Sequence, residues 1–339
     1  MEQNIQQYID SLLDDILELN LSFKKLTVLP DLSRFKNLQK LICWNNQLTF
    51  LPSNLPNSLQ ELYCSDNQLT SLPNHLPNSL QILYCYTNRL TSLPNTLPNS
   101  LQTLVCNNNK LTSLPPLPDS LQILSCAFNQ LTSLPSNLPN SLQKLYCDNN
   151  QLTSLCCPHG PDNLPNSLQI LNCQNNQLTF LLDHLPDSLQ ELNCSSNQLT
   201  SLPNHLPNCL QELHCVDNQL TSLSDLPNFL QRLDCRYNQL TSLPDTLPNS
   251  LQYLWCSDNP ELEKIYPLLD SFKTIGEKKK YIQERNWQMA KEKAEKRMNI
   301  LNPEEGGLVE TAIQWNMRPE RMIKYLNEGY DLDEINNFI

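Results

Sequence analysis

A 15-residue phrase recurs along most of this chain, and it limits the possible folds more than any other feature. The phrase reads LQELYCSDNQLTSLP from Leu59 and LQILYCYTNRLTSLP from Leu80. With its first leucine as position 0, leucine occupies positions 0, 3 and 10, cysteine occupies position 5 and asparagine position 8. Eleven copies share this frame at intervals of 20 or 21 residues, except for one interval of 26. Such periodicity predicts a solenoid in which each repeat packs only on its neighbours.

Two polar columns run through the repeats, and a degenerate copy precedes them. The cysteines at position 5 are Cys43, Cys64, Cys85, Cys106, Cys126, Cys147, Cys173, Cys194, Cys215, Cys235 and Cys256. The asparagines at position 8 are Asn46, Asn67, Asn88, Asn109, Asn129, Asn150, Asn176, Asn197, Asn218, Asn238 and Asn259. In the degenerate copy, Ile16, Leu19, Leu21 and Leu26 fit the frame, whereas Lys24 replaces asparagine. The frame therefore extends over residues 16–262, and each asparagine amide is expected to bond the backbone where a strand turns.

The L-x-C segment predicts a short strand in every repeat. Side chains in a strand alternate between its two faces, so positions 3 and 5 share the buried face and positions 2, 4 and 6 the exposed one. A repeat of about 21 residues with two prolines has no room for a helix on its return path. The return path is therefore expected to be extended or polyproline-like.

This frame resembles the leucine-rich repeat, with cysteine in place of the third leucine. The repeat length and the doubled L-P segments, such as SLPNHLPNSL from Ser71, are similar to a short bacterial subtype found in secreted effectors. The recurring segment L-P-N-S-L-Q is most similar to segments of uncharacterised repeat proteins of giant DNA viruses of amoebae. The resemblance implies a leucine-rich repeat solenoid, with a curved parallel β-sheet on the concave face and an extended or polyproline-like convex side.

The two ends of the chain depart from the repeat. Apolar residues at helical spacing predict an amphipathic cap helix over residues 1–14, namely Ile5, Tyr8, Ile9, Leu12, Leu13 and Ile16. The solenoid is assigned to residues 15–262, with an insertion at 156–160, and a C-terminal helical region to 263–339. In that region a long basic helix over 273–297 is expected to bear an apolar stripe, namely Trp287, Ala290, Ala294, Met298 and Leu301. Further helices are expected from Pro319 to Glu328 and from Asp331 to Phe338.

Composition excludes several classes of function. Only 5 glycines are present, and no glycine-rich phosphate loop occurs among them. The net charge of −12 opposes an extended nucleic-acid surface. The basic helix 273–297 is interpreted as a helical cap with a solvated basic face, and the alternative is weak binding of nucleic acid through that helix. No run of 18 apolar residues predicts a membrane span. The acidic start MEQNIQQYIDSLLDD lacks the pattern of a secretory signal, so free thiols in the cytoplasm are expected, in a host cytoplasm if the protein is viral or an effector.

The cysteine column is interpreted as core packing. Parallel strands hold successive side chains about 4.8 Å apart with parallel directions, which suits neither a disulfide nor a tetrahedral metal. The insertion Cys156-Cys157-Pro158-His159-Gly160 could ligate zinc, but vicinal cysteines are poor joint ligands and a surface loop is favoured. His75, His184 and His205 are expected to be solvated. No metal, cofactor or catalytic residue is predicted.

The predicted function is protein binding without chemistry. An alternative is an effector-type enzyme that resembles a ubiquitin ligase, which is disfavoured because no cysteine follows Cys256 to carry the ubiquitin thioester. Another is a structural component of a particle. A partner of unknown identity, a host protein if the chain is an effector, is expected on the concave face, and no small-molecule substrate is expected.

Outward positions suggest where that partner docks. Apolar side chains concentrate in the first six full repeats, with Trp44 and Val105 expected in reach of two tyrosines, and the proposed contacts are Trp44, Tyr63, Tyr84, Tyr86, Val105, Phe128 and Tyr146. A smaller cluster at the other end, suited to an acidic segment, comprises Arg236, Tyr237 and Trp255, with Arg232 and Tyr253. Large exposed apolar patches usually mark partner sites. The alternative is that these aromatics merely stabilise the sheet across its strands.

Overall fold

The computed structural model describes residues 2–155, 164–244 and 246–301. Its main feature is one parallel sheet of twelve three-residue strands, in which the order across the sheet equals the order along the chain. Each strand begins at position 2 of its repeat. The strands are β1 Glu18–Asn20, β2 Lys40–Ile42, β3 Glu61–Tyr63, β4 Ile82–Tyr84, β5 Thr103–Val105, β6 Ile123–Ser125, β7 Lys144–Tyr146, β8 Ile170–Asn172, β9 Glu191–Asn193, β10 Glu212–His214, β11 Arg232–Asp234 and β12 Tyr253–Trp255.

The predicted face of each strand is buried. The middle residue of every strand is a leucine, and strands pair in register, as in Leu62 with Leu83. The position 5 cysteines complete this row and are fully buried, except for 2% exposure of Cys256. Strand β1 pairs with β2, so the degenerate copy is a true twelfth repeat. The solenoid and its expected repeat number are therefore confirmed.

The chain returns between strands without helices. Outside the strands, the described residues between β1 and β12 form turns and irregular segments, apart from an isolated bridge between His205 and Asp225. At position 7 of every full repeat the backbone turns through a left-handed conformation, with φ between 51° and 58°. Most of these residues are Asn, Asp or Ser, and Asn and Asp tolerate this region best. This enrichment is the signal that would have predicted the turn.

The asparagine column bonds the backbone of two repeats at once. The Asn67 amide donates to the carbonyls of Cys43 and Cys64 at 3.0 and 3.2 Å, and its Oδ1 accepts from the Leu48 N–H at 3.0 Å. Equivalent bonds recur up to Asn259. The predicted structural role of this column is confirmed.

A serine column at position −1 adds a second set of bonds between repeats. The hydroxyl of Ser79 lies 2.7 Å from the carbonyl oxygens of both Asn57 and Leu59 in the preceding repeat. The same pair of contacts recurs at Ser100, Ser120, Ser141, Ser167, Ser188 and Ser250. Cys209 and Phe229 occupy the position in two repeats and interrupt the column.

The N-terminal helix is shorter than predicted. Helix α1 covers Glu2–Asp10, and Ser11 ends it by donating its N–H and its hydroxyl to the Tyr8 carbonyl. Of the predicted apolar face only Ile9 is buried, whereas Leu13 is 72% exposed. The cap therefore covers the core with one residue rather than with a complete helical stripe.

A second compact unit follows the sheet. Residues up to Thr241 with Pro248–Asn259 form the first unit, and Ser242–Leu247 with the residues from Pro260 form the second. The second contains α2 at Pro260–Ile265, a short 3-10 helix at Leu269–Ser271 and α3 at Ile275–Leu301. The sheet unit thus ends at Asn259, three residues before the predicted limit.

Helix α3 confirms the long helix expected over 273–297. Its apolar contacts differ from the prediction, because Ile282 is buried whereas Trp287 is 41% exposed. The side chains from Ala294 onward and the expected helices from Pro319 lie outside the described residues. No described helix is both long and apolar enough to span a membrane.

Candidate partner-binding surface

The exposed face of the sheet carries positions 2, 4 and 6 of each repeat. In most strands the residues on both sides of the buried leucine are partly exposed. Straight pairing places equivalent positions of neighbouring repeats side by side. The identity of these side chains therefore decides what each part of the face can bind.

Three tyrosines form the centre of the predicted site, and we call them the tyrosine cluster: Tyr63, Tyr84 and Tyr86. The rings of Tyr63 and Tyr84 meet edge to face with centroids 5.0 Å apart, and those of Tyr84 and Tyr86 lie 6.4 Å apart. Val105 pairs with Tyr84 in the next strand and extends the apolar area. These four predicted residues are thus brought together.

Polar groups border the tyrosine cluster. The Tyr63 hydroxyl donates to Glu61 Oε2 at 2.9 Å, and the Lys40 ammonium lies 5.5 Å from the Tyr63 ring centroid. Burial, then the bond to Glu61, raises the pKa of Tyr63 to about 12. The hydroxyl therefore remains a neutral hydrogen-bond donor at physiological pH.

Trp44 occupies position 6 of its repeat, whereas Tyr63 and Tyr84 occupy position 4 of theirs. Register pairs Tyr63 with Ile42, two residues before Trp44. Trp44 packs edge-on against Phe23, with ring centroids 4.5 Å apart. Phe23 was missed in the sequence because it belongs to the degenerate copy, although it occupies the same exposed position 7 as Phe128.

The remaining predicted contacts of this half are Phe128 and Tyr146. Phe128 is 51% exposed and has φ of 52°, and Tyr146 is partly buried. Near them lies Asp148, which the sequence did not single out and which is only 6% exposed.

Amide side chains cover the next part of the face. Asn193 Nδ2 donates to Gln174 Oε1 at 2.9 Å, and Asn172 Oδ1 accepts from the Gln174 N–H at 3.2 Å. Asn175 donates to Asn149 in the adjacent repeat. The expected change from apolar to polar side chains is therefore present, and neighbouring repeats satisfy much of this polarity themselves.

The second cluster is less basic than the sequence suggests. Arg236 binds Asp234 through Nε and Nη2 at 2.8 and 2.6 Å, and this bond raises the pKa of Arg236. Arg232 pairs with Glu212 and lies over the Tyr253 ring. Because carboxylates already pair both arginines, an acidic segment would find little free positive charge there.

The aromatic members of that cluster remain available. Tyr253 and Trp255 stack in parallel at 5.5 Å and are 46% and 38% exposed. Tyr237 is 54% exposed and has φ of 54°. This end of the sheet thus offers an aromatic surface.

The cysteine column offers no reactive thiol. Burial raises the pKa of Cys106 and of Cys194 to about 12, so both thiols are protonated at neutral pH. Among the described residues no His, Cys, Asp or Glu side chains are grouped as metal ligands. The insertion 156–160, whose cysteines and histidine are the alternative zinc ligands, lies outside the described residues.

A groove of about 780 Å³ lies among the L-P-N segments of the early repeats, away from the predicted contacts. Its lining includes Pro56, Asn57, Pro77, Asn78, Pro98 and Asn99. The groove follows from the recurrence of this segment in adjacent repeats, and its lining is mainly polar.

Comparison with known families agrees with this geometry. A profile of two leucine-rich repeats matches residues 187–228, and a single leucine-rich repeat profile matches residues 58–78. Both matches fall on repeats whose leucines and asparagines form the buried columns described above. The chain is a leucine-rich repeat protein. No curated protein sequence matches it significantly.

Solved structures of leucine-rich repeat proteins resemble the chain. YopM from Yersinia enterocolitica is 34% identical over 72% of this chain, with a TM-score of 0.53, and the chain spans only 60% of that protein. The functional domain of InlJ from Listeria monocytogenes, which includes a cysteine ladder, is 25% identical over 72% of this chain and 63% of its own, with a TM-score of 0.53. A chain from the octameric complex of Latrophilin 3, Unc5D and FLRT2 is 26% identical over 76% of this chain and 88% of its own, with a TM-score of 0.60.

Proposed function

We propose that this leucine-rich repeat protein binds a protein partner on the exposed face of its sheet and performs no chemistry on it. The observation that carries the proposal is the tyrosine cluster, in which three partly exposed aromatic rings contact one another on a regular surface. Tyrosines are frequent binding hot spots because they bury a large area and keep a polar hydroxyl. The docking site is therefore assigned to the first half of the sheet.

Backbone conformation supports a functional role for two further residues. Phe128 and Tyr237 occupy the left-handed position 7 that Asn, Asp or Ser fills in most repeats. An aromatic residue there costs about 1 kcal/mol or more relative to a favourable one. Both side chains are more than half exposed, so packing within the chain offsets only part of that cost. Contact with a partner would give these aromatic residues a reason to occupy the position.

The enzyme and particle alternatives have less support. The ubiquitin-ligase alternative needs a nucleophilic cysteine in the C-terminal region, and none follows Cys256. No feature of the described residues favours a particle component. A cytoplasmic location, in a host cell if the protein is an effector, would suit the column of free thiols.

The test compares two double variants of the full chain. Tyr63→Ala with Tyr84→Ala removes two of the three rings of the tyrosine cluster, and Tyr253→Ala with Trp255→Ala removes the aromatic pair at the other end of the sheet. A chain that keeps all three tyrosines and carries a photo-crosslinking residue at the exposed neighbouring position 87 would first identify partners by mass spectrometry. The first double variant should then lose capture of the cross-linked partner, whereas the second should retain most of it.

Stability measurements separate binding from folding in this test. Both double variants should melt within a few degrees of the wild type, because surface aromatic pairs contribute only about 0.2 to 1 kcal/mol. Capture that survives the first change and is lost on the second would place the docking site at the opposite end of the sheet.

A further inference from the structure

Two carboxylates are buried on the exposed face of the sheet, and their surroundings differ. Asp148 and Asp234 are each only 6% exposed. Asp234 has its own cation, because Arg236 binds both of its oxygens. Within residues 2–155, 164–244 and 246–301, no lysine, arginine or histidine forms an ion pair with Asp148.

Neutral groups surround Asp148. Its Oδ2 accepts from Asn149 Nδ2 at 2.8 Å. At the same position of the adjacent repeats stand Ala127 and Gln174, and Lys144 lies four residues earlier, at the start of β7. Burial raises the pKa of Asp148, with the Asn149 bond acting in the opposite sense. A buried charge with no counterion is costly, so this carboxylate is better suited to a bound cation than to the free chain.

We propose that Asp148 receives an arginine side chain of the protein partner. This inference rests on the proposed function and specifies the chemistry of the partner. The side chains available to stack on the guanidinium are those of Tyr146, the last residue of β7, and of Phe128, whose N–H donates to the Asp148 carbonyl at 3.0 Å. Arginine suits such a place because it stacks on aromatic rings and is less strongly hydrated than lysine.

The charge of the whole exposed face favours a basic partner. Positions 2, 4, 6 and 7 carry four basic residues, namely Lys40, Lys144, Arg232 and Arg236. The same positions carry nine acidic residues, namely Glu18, Glu61, Asp66, Asp148, Glu191, Glu212, Asp217, Asp234 and Asp258. This excess would attract a basic surface and orient it on the sheet.

The test titrates the full chain with small probes and needs no identified partner. The probes are the Nα-acetyl, N-methylamide derivatives of arginine, lysine and the uncharged isostere citrulline. The NMR signal of the Asn149 side-chain amide reports on the site, because this group donates to Asp148. The arginine derivative should shift that signal saturably, with a Kd on the order of 1 mM. Citrulline should give no saturable shift, and lysine a weaker one.

Matched variants assign the probe to one carboxylate. Asp148→Asn keeps the shape of the side chain and should abolish the saturable shift, whereas Asp234→Asn should leave it unchanged. The Tyr63→Ala, Tyr84→Ala double variant should also keep it, since the probe does not touch the tyrosine cluster.

Several results would overturn the inference: equal shifts with citrulline, tighter binding of the lysine derivative, an unchanged response in Asp148→Asn, or no shift at tens of millimolar probe. None of these results would affect capture of the partner by the tyrosine cluster. Failure of this inference is thus distinguishable from failure of the proposed function.

Discussion

At the scale of single residues, polar side chains supply the backbone bonds that three-residue strands cannot make. The asparagine at position 8 bonds the carbonyls on both sides of a repeat boundary, and the serine at position −1 contacts two carbonyls of the preceding repeat. Each such bond contributes about 1 kcal/mol. Because these hydrogen bonds recur in most repeats, together they link neighbouring repeats along the whole sheet.

The interruption of the serine column at Cys209 allows a test of the contribution of about 1 kcal/mol. Cys209 occupies the serine position, is exposed and makes no hydrogen bond within the described chain. Cys209→Ser should restore the contacts to the carbonyls of Asp187 and Leu189 and raise stability by about 1 kcal/mol. The measurement is the midpoint of chemical unfolding.

The reciprocal change is the matched control. Ser188→Cys removes the existing contacts of the same kind, at 2.7 Å to Asn166 and Leu168, and should lower stability by a similar amount. If both substitutions leave the midpoint unchanged, the serine column has no stabilising role.

At the scale of secondary structure elements, the sequence determines more of the sheet than of its ends. The alternation around Leu62 and Cys64 predicts the strand, its buried face and its pairing, because a one-residue slip would expose every leucine. The cap is less determined, since helical spacing alone does not reveal that Ser11 ends α1 or that only Ile9 is buried. Contacts with residues distant in the sequence decide where α1 ends and which of its side chains are buried.

The sequence likewise predicts one part of the candidate site and not the other. The tyrosine cluster follows from position 4 and the constant repeat length, so Tyr63 and Tyr84 were predicted to meet. The pairing of Arg236 with Asp234 and the burial of Asp148 depend on side-chain conformation and local packing. Periodicity carries no information about either.

Helix α3 begins with a capping box that can be tested. Thr274 Oγ1 accepts from the Glu277 N–H at 3.2 Å, and Glu277 Oε2 accepts from the Thr274 N–H at 3.0 Å. Thr274→Ala should weaken the first turn by about 1 kcal/mol and speed exchange of the Glu277 amide hydrogen about fivefold. Hydrogen exchange measured by NMR checks this expectation.

Thr274→Ser is the control, because serine keeps the hydroxyl and should leave the exchange rate nearly unchanged. An alanine variant whose Glu277 amide exchanges no faster than that of the serine variant would contradict the role of the cap.

At the scale of the whole molecule, the cysteine column makes stability dependent on pH. Burial raises the pKa of Cys43, Cys106 and Cys194 to about 12, from an ordinary value of 9.0. The folded chain therefore keeps these thiols protonated where the unfolded chain would ionise them. Their contribution is fully present below pH 9.0 and is lost as pH rises toward 12.

We expect the melting temperature to be nearly constant between pH 7 and 8.5 and to fall steadily above pH 9. Each buried thiol adds about 1.4 kcal/mol per pH unit to that fall. Circular dichroism in matched buffers measures it, and Cys106→Ala with Cys194→Ala should make the slope shallower even though it lowers stability at pH 7. A melting temperature that stays constant up to pH 11 would contradict this account.

The order of the strands also bears on how such a gene can change. Because the sheet follows the chain and every strand pairs only with its sequence neighbours, one repeat's length of coding sequence can be duplicated or lost by recombination and leave the remaining register intact. The newly adjacent repeats still present leucine to leucine and asparagine to backbone. Such events would lengthen or shorten the exposed face in whole units, so its reach can evolve separately from the identity of its contact residues.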